Sequence, residues 1–269
     1  MEKLNRWVAK HAWLVYILSI VLMFLLAIVA TDGYDGLLVI LVYPAMFAWS
    51  FVSARYVFSR GNVLLKKPME ILLQECDPHP FLEETQRQRN YPGNRNLKLW
   101  HILYEGMALR EIGEFSQAYA LLAAHGNELV PRTALVVQAQ YYAEMAYLSA
   151  KLGDLQGMEF WHEKLLDAHS KTKTKRHKQF TESAVTSHLV MYHYARQEYS
   201  QSFQVLQNVP TGVPRSRVAV AMNQARIHLA LEEMQKAKEK LEFVIQNGNK
   251  LYIVTEAKEL LARINMEEQ

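Results

Sequence analysis

One short phrase recurs four times after residue 100 and constrains the fold more than any other feature of the chain. In ALREIGEFSQAYALL (residues 108–122) and SAKLGDLQGMEFW (residues 149–161) an apolar helix end runs into Gly, then an acid, then an apolar residue, and then a new amphipathic helix. Gln197-Glu198-Tyr199 and Glu232-Glu233-Met234 hold the same place in two later segments. The turn positions 113, 153, 197 and 232 stand 40, 44 and 35 residues apart, a spread that suits helix pairs with linkers of unequal length. From Leu97 onward helical periodicity dominates and strong strand signals are absent. A small residue seven positions before the turn (Gly106, Ala146, Ala225) lets the partner helix approach, and Ala118 and Ala237 do the same on the return helix. The third segment departs from this, with Val190 and Ser202 at those places. One such pair cannot bury both of its apolar faces, so the pairs are expected to stack.

These segments resemble tetratricopeptide repeats. The first and fourth carry the best matches, through Gly106, Gly113, Phe115 and Ala118, and through Ala225, Met234 and Ala237; no unit carries the complete motif. The resemblance covers about Leu97 to Leu241, with Lys250 to Ile264 as a capping helix. It implies a concave face lined by the first helix of each pair, where a protein or peptide partner would lie. The lining would be Leu103, Met107 and Arg110, then Ala143, Glu144 and Tyr147, then Ser187, His188 and Met191, then Met222, Asn223 and Arg226. Met and aromatic side chains would make it adaptable, and Asn223 with Arg226 would suit a carboxylate or a peptide amide. Packing between helices is the competing role for many of these side chains.

The N-terminal part is of another kind. Trp13 to Ala30 and Gly36 to Ala54 contain no charged residue, and each run is long enough to cross a hydrocarbon core of about 30 Å as a helix. Lys3, Arg6 and Lys10 precede the first run; Arg55, Arg60, Lys66 and Lys67 follow the second; the connector 31–35 has two acids and no base. Basic flanks stay on the cytoplasmic side. The expectation is a multi-pass protein of the cell membrane with two spans, about 13–30 and 36–58, and both termini cytoplasmic. A cleaved signal is the competing reading of the first run, but that run is long for a signal core. Trp7, Trp13 and Tyr34 sit at interfacial positions, and Pro44 is a kink site. No acid, lysine or histidine lies in either run, which argues against a proton or ion pathway. The fold class expected is all-α: residues 1–60 an anchor, 61–96 a helical lead-in, and 97–269 a repeat solenoid. In the lead-in, helices are expected at Lys67–Cys76 and Phe81–Arg89, divided at Asp77-Pro78, with a turn at Tyr91-Pro92-Gly93-Asn94.

Elsewhere the residues exclude more than they assign. A net charge of +3 over 269 residues gives no basic face for nucleic acid. A lone cysteine, Cys76, cannot form an internal disulfide. Cys76 with His79 lacks the third group of a nucleophilic site and the further ligands of a zinc site. His162, His169, His177, His188 and His193 cluster in sequence, yet His188 and His193 point roughly 140° apart on a helix. Phosphate-loop, nucleophile-elbow, metalloprotease and dinucleotide fingerprints are absent. Neither catalysis nor a cofactor is expected. One dense basic run stands out: Lys171, Lys173, Lys175, Arg176 and Lys178 are candidates for contact with anionic lipid headgroups, against a plain solvated connector.

The function expected is a membrane-tethered adaptor that presents a repeat surface to a protein partner, a layout familiar in bacteria. The alternatives are a ligand- or peptide-responsive sensor and an accessory subunit of a membrane transport or secretion complex.

Overall fold

A computed structural model describes residues 2–31, 37–58, 60–91 and 95–267, and every element among them is helical. The four turn positions show why the phrase recurs. Gly113, Gly153, Gln197 and Glu232 all have positive φ, at 100°, 79°, 63° and 60°. At each, the amide of the next residue bonds the carbonyl five residues back: Glu114 to Leu109, Asp154 to Ser149, Glu198 to His193 and Glu233 to His228, all at 2.8–2.9 Å. The turn residue's own amide reaches three back in every case. This is a Schellman motif, which satisfies the last carbonyls of one helix while reversing the chain. The acid next in sequence then opens the return helix.

The helices so joined are α6 (Arg95–Ile112) with α7 (Phe115–Arg132), α8 (Leu135–Lys151) with α9 (Leu155–Ser170), α10 (Lys175–Ala195) with α11 (Tyr199–Leu206), and α12 (Pro214–Ala230) with α13 (Met234–Asn247). Partners pack against each other, and each pair packs on the next in chain order. The small residues act as expected. A Cβ on Gly106 would stand 2.8 Å from the side chain of fully buried Leu122, and Ala118, Ala146, Ala225 and Ala237 have no exposed surface. The aberrant third unit is accounted for by its own two departures: Ser202 Oγ donates to the Val190 carbonyl at 2.7 Å, both residues being buried.

Ahead of the pairs lie α1 (Glu2–Lys10), α2 (Ala12–Thr31), α3 (Leu37–Phe58), α4 (Arg60–Glu75) and α5 (His79–Arg89). α4 begins seven residues before the expected helix and carries Pro68 in its interior. α5 begins at His79 with Pro80 in its first turn. The turn at Tyr91 falls mostly outside the described residues. Arg6 ties α1 to α5 through Glu84 at 2.9 Å, and Tyr16 joins Ser50 across α2 and α3 at 2.8 Å.

The two-span anchor requires correction. Among the described residues one helix is long and apolar enough to cross a membrane, α2 over Ala12–Val29, and it lies near the N-terminus, where a signal sequence passes the same test. α3 does not join it. The side chains of its apolar first turn, 37–41, lie outside the described residues, and the remainder of the helix carries Pro44, Ser50, Ser53 and Arg55. Residues 32–36, on which the orientation depended, are also outside. A two-span placement in the cell membrane with cytoplasmic termini therefore does not stand.

The last element, α14 (Tyr252–Glu267), is more than a cap. It packs on α13 and also on α6, while α12 packs on α4. Leu65, Leu72 and Phe81 share one core with Val218, Met222 and Val254. Asn249 Nδ2 donates to the Glu75 carbonyl at 2.7 Å, and Lys250 Nζ meets Asp77 at 2.6 Å. The stack curls until its end meets its beginning, and the lead-in helices are part of the closure.

Candidate functional site: the inner face of the ring

The concave face lies beside the place where the chain ends meet, and it holds half-open cavities. One strip of it is the stripe Trp100, Tyr104, Met107 and Glu111 on α6, spaced four, three and four residues apart, so that all four lie on one face and line cavities. Three cavities share this strip.

The first, about 300 Å³, lies at the C-terminal ends of α6 and α8 and is ringed by charge. Arg110 meets Glu111 at 2.7 Å and Glu144 at 3.2 Å. Arg215 forks onto the same Glu111. Arg226 grips Glu256 of α14 with two bonds of 2.8 and 2.7 Å and donates to Asn223 at 2.9 Å. Lys151 adds a contact to Glu256 at 3.2 Å, and the Tyr147 and Tyr252 hydroxyls bond each other. Burial alone would raise the Glu111 carboxyl, but Arg215 and Arg110 outweigh it and hold the group below the ordinary carboxylate range. Glu256 is also held low: burial opposes, and Arg226 and Lys151 prevail. Glu144 goes the other way, because burial exceeds the pull of Arg110. Burial and the neighbouring Tyr252 push the Tyr147 phenol well above its usual value. Each arginine here already has a carboxylate. The arrangement joins α6, α8, α12 and α14 electrostatically.

The second cavity, about 740 Å³, lies toward the other end of the strip. Its floor is Val136, Val137 and Gln140 of α8; Trp100, Tyr104 and Met107 form one wall, and Arg176, His177 and Phe180 of α10 the other. A smaller cavity beyond Trp100 and Tyr104 extends to Leu65, Lys66 and Met69 of α4.

The expected lining residues divide accordingly. Arg110, Tyr147, Ser187, Met222, Asn223 and Arg226 face the charged cavity, with Glu144 against Arg110, and Met107 faces the larger one. Leu103 and Ala143 belong to the core between helices. Met191 is buried, and buried His188 bonds His162 at 3.0 Å. Asn223 and Arg226 do not wait for an external carboxylate, since Glu256 already occupies Arg226. Arg215, Tyr252 and Glu256 were not foreseen; each comes from a segment far from the unit it completes. In the basic run, Lys171 pairs with Asp167 at 2.6 Å, Lys173, Lys175, Arg176 and Lys178 are all exposed, and Arg176 also stands at the rim of the larger cavity. Cys76 is buried in the shared core, and burial pushes its thiol up. Among the described residues no group of three or more His, Cys, Asp or Glu is placed to hold a metal ion.

No family model, no curated protein and no solved structure matches the chain.

Proposed function

We propose that the chain is a recognition scaffold of tetratricopeptide-like helix pairs, tethered to a membrane through α2, with binding rather than chemistry as its task. The observation that carries this reading is that Schellman turns stand at the corresponding place in four consecutive packed helix pairs, which supports a repeated unit. The tether is supported by α2, where Leu14, Leu18, Leu22, Leu25 and Val29 are each about half exposed or more; an apolar surface of that extent calls for an apolar environment. Tethering raises the effective concentration of any partner held at the same surface. The test is crosslinking and pull-down from native membranes with the intact chain and with Leu18→Arg/Leu22→Arg. Recovery of one specific set of proteins by both forms supports a scaffold that α2 merely places. Recovery by neither form sinks the reading.

A ligand-responsive sensor is the second reading. It is favoured by the half-open cavity of about 740 Å³ between α6, α8 and α10, which is of a size to take a small ligand.

A further inference from the structure

We propose that the 740 Å³ chamber between α6, α8 and α10 binds a small anionic amphiphile, a molecule with one carboxylate or phosphate head and an apolar body. This goes beyond the scaffold reading and does not need a protein partner.

Size comes first. Small-molecule pockets run about 300–1,000 Å³, so the chamber accepts a ligand of that class. A partner helix would need the full length of the groove, and that length is interrupted: Tyr252 and Ile253 of α14 line the charged cavity at its far end.

Lining chemistry gives the body of the ligand. Trp100, Tyr104, Met107, Val136, Val137 and Phe180 supply most of the wall. Phe180 is 58 % exposed and lines the cavity together with the partly exposed Trp100, Tyr104 and Met107, so the apolar surface there is contiguous. A bound apolar body would cover it.

Charge gives the head. In the neighbouring 300 Å³ cavity every arginine is neutralised by a carboxylate of the chain itself. Around the chamber the balance is different: Arg176 and His177 line it, Lys66 lines its extension, and among the described residues no Asp or Glu lines either. Arg176 and Lys66 make no ion pair among the described residues. Arg176 also lies in the first turn of the 21-residue α10, where the positive end of the helix dipole adds to its field. A guanidinium beside an apolar chamber, with no internal counter-ion, matches a head that brings the missing charge. Arg176 is as exposed as the lysines of the run, and among these it is the cation that lines the cavity.

The experiment uses the full chain in amphipol, which avoids competition from free detergent. Dodecanoate, dodecyl phosphate and dodecanol are titrated by calorimetry, each also into Arg176→Glu, Phe180→Asp and the control Lys236→Glu. The expected result is saturable binding of one anion per chain. Dodecanol should bind more weakly by about tenfold, the worth of roughly one charge-assisted contact. Arg176→Glu should erase that preference, Phe180→Asp should weaken all three probes, and Lys236→Glu should change nothing. The tighter of the two anions names the head group. Equal binding of dodecanol and the anions overturns the proposal, as does non-saturable partition or anion binding that survives Arg176→Glu. Since no partner protein is present, failure here leaves the scaffold test untouched, and the reverse holds too.

Discussion

His193 Nδ1 lies 2.6 Å from Glu198 Oε2, and His228 Nδ1 lies 2.5 Å from Glu233 Oε2. The two pairs are equivalent: each spans a Schellman turn from its first bonded carbonyl to the residue after the left-handed position. They occur in the two units whose left-handed residue is Gln197 or Glu232 in place of glycine. An L-residue there costs roughly 1–2 kcal/mol. In the glycine units the equivalent places hold Leu109 with Glu114 and Ser149 with Asp154, and no such clasp forms. The side-chain clasp stands where glycine's conformational freedom is missing.

The clasp makes these turns sensitive to acid. The Glu198 carboxyl is held below its ordinary range, first by the bond from His193 and then by Arg196; that of Glu233 is held low by Lys236 and then His228. A carboxylate with a depressed folded-state value stabilises above its unfolded value and loses that contribution as the pH falls through the folded one. Hydrogen exchange of the Glu198 and Glu233 amides should therefore accelerate below the ordinary carboxylate range, relative to the amides of Glu114 and Asp154. Glu198→Gln should remove the extra acid sensitivity at the third turn only. Equal acceleration at all four turns would refute the clasp.

Glycine at the first two turns is needed to different degrees. Gly153→Ala meets nothing within 4 Å and bears only the backbone cost, about 1 kcal/mol. Gly113→Ala adds a Cβ at 3.0 Å from Tyr252 Cβ, so it should cost more, by about 1 kcal/mol. Urea unfolding of the two variants measures the difference, and equal losses would place Tyr252 elsewhere.

The pair Arg226 and Glu256 gives a further test. Arg226→Met strands a carboxylate that Lys151 only partly serves, and breaking such a pair costs roughly 3 kcal/mol. Arg226→Met/Glu256→Met should recover much of that loss, because replacing both partners removes the uncompensated charge. Denaturant midpoints of the two single variants and the double one decide it; additive losses would mean that the pair is not coupled.

How much of this was legible depended on sequence distance. The turn positions 113, 153, 197 and 232 could be aligned because a Schellman turn is local, its bonds reaching five residues back. The helical class and the pairing came from the same signal. The helix expected at Lys67 starts instead at Arg60 and keeps Pro68 inside it, where proline is ordinarily found at a helix start. Ring closure was out of reach: Asn249 and Glu75 are 174 residues apart, and no period connects them. For the same reason the candidate lining was half visible. Arg110, Tyr147 and Arg226 follow from helix register, whereas Glu256 and Arg215 arrive only when the ring shuts. The apolar runs near the N-terminus were plain as composition, but composition did not carry two spans.

Closure also changes how the molecule should unfold. In an open array each unit contacts only its neighbours, so damage at one end stays there. Here Phe81 of α5 is fully buried in a core that also holds Val218, Leu241 and Val254. Phe81→Ala should cost about 3–5 kcal/mol, and the loss should appear at both ends of the chain. Hydrogen exchange is expected to speed up in α12 and α14 together with α4 and α5, while the middle pair α8–α9 changes less. If acceleration is confined to α4–α6, the contacts between the ends do not hold the ring shut.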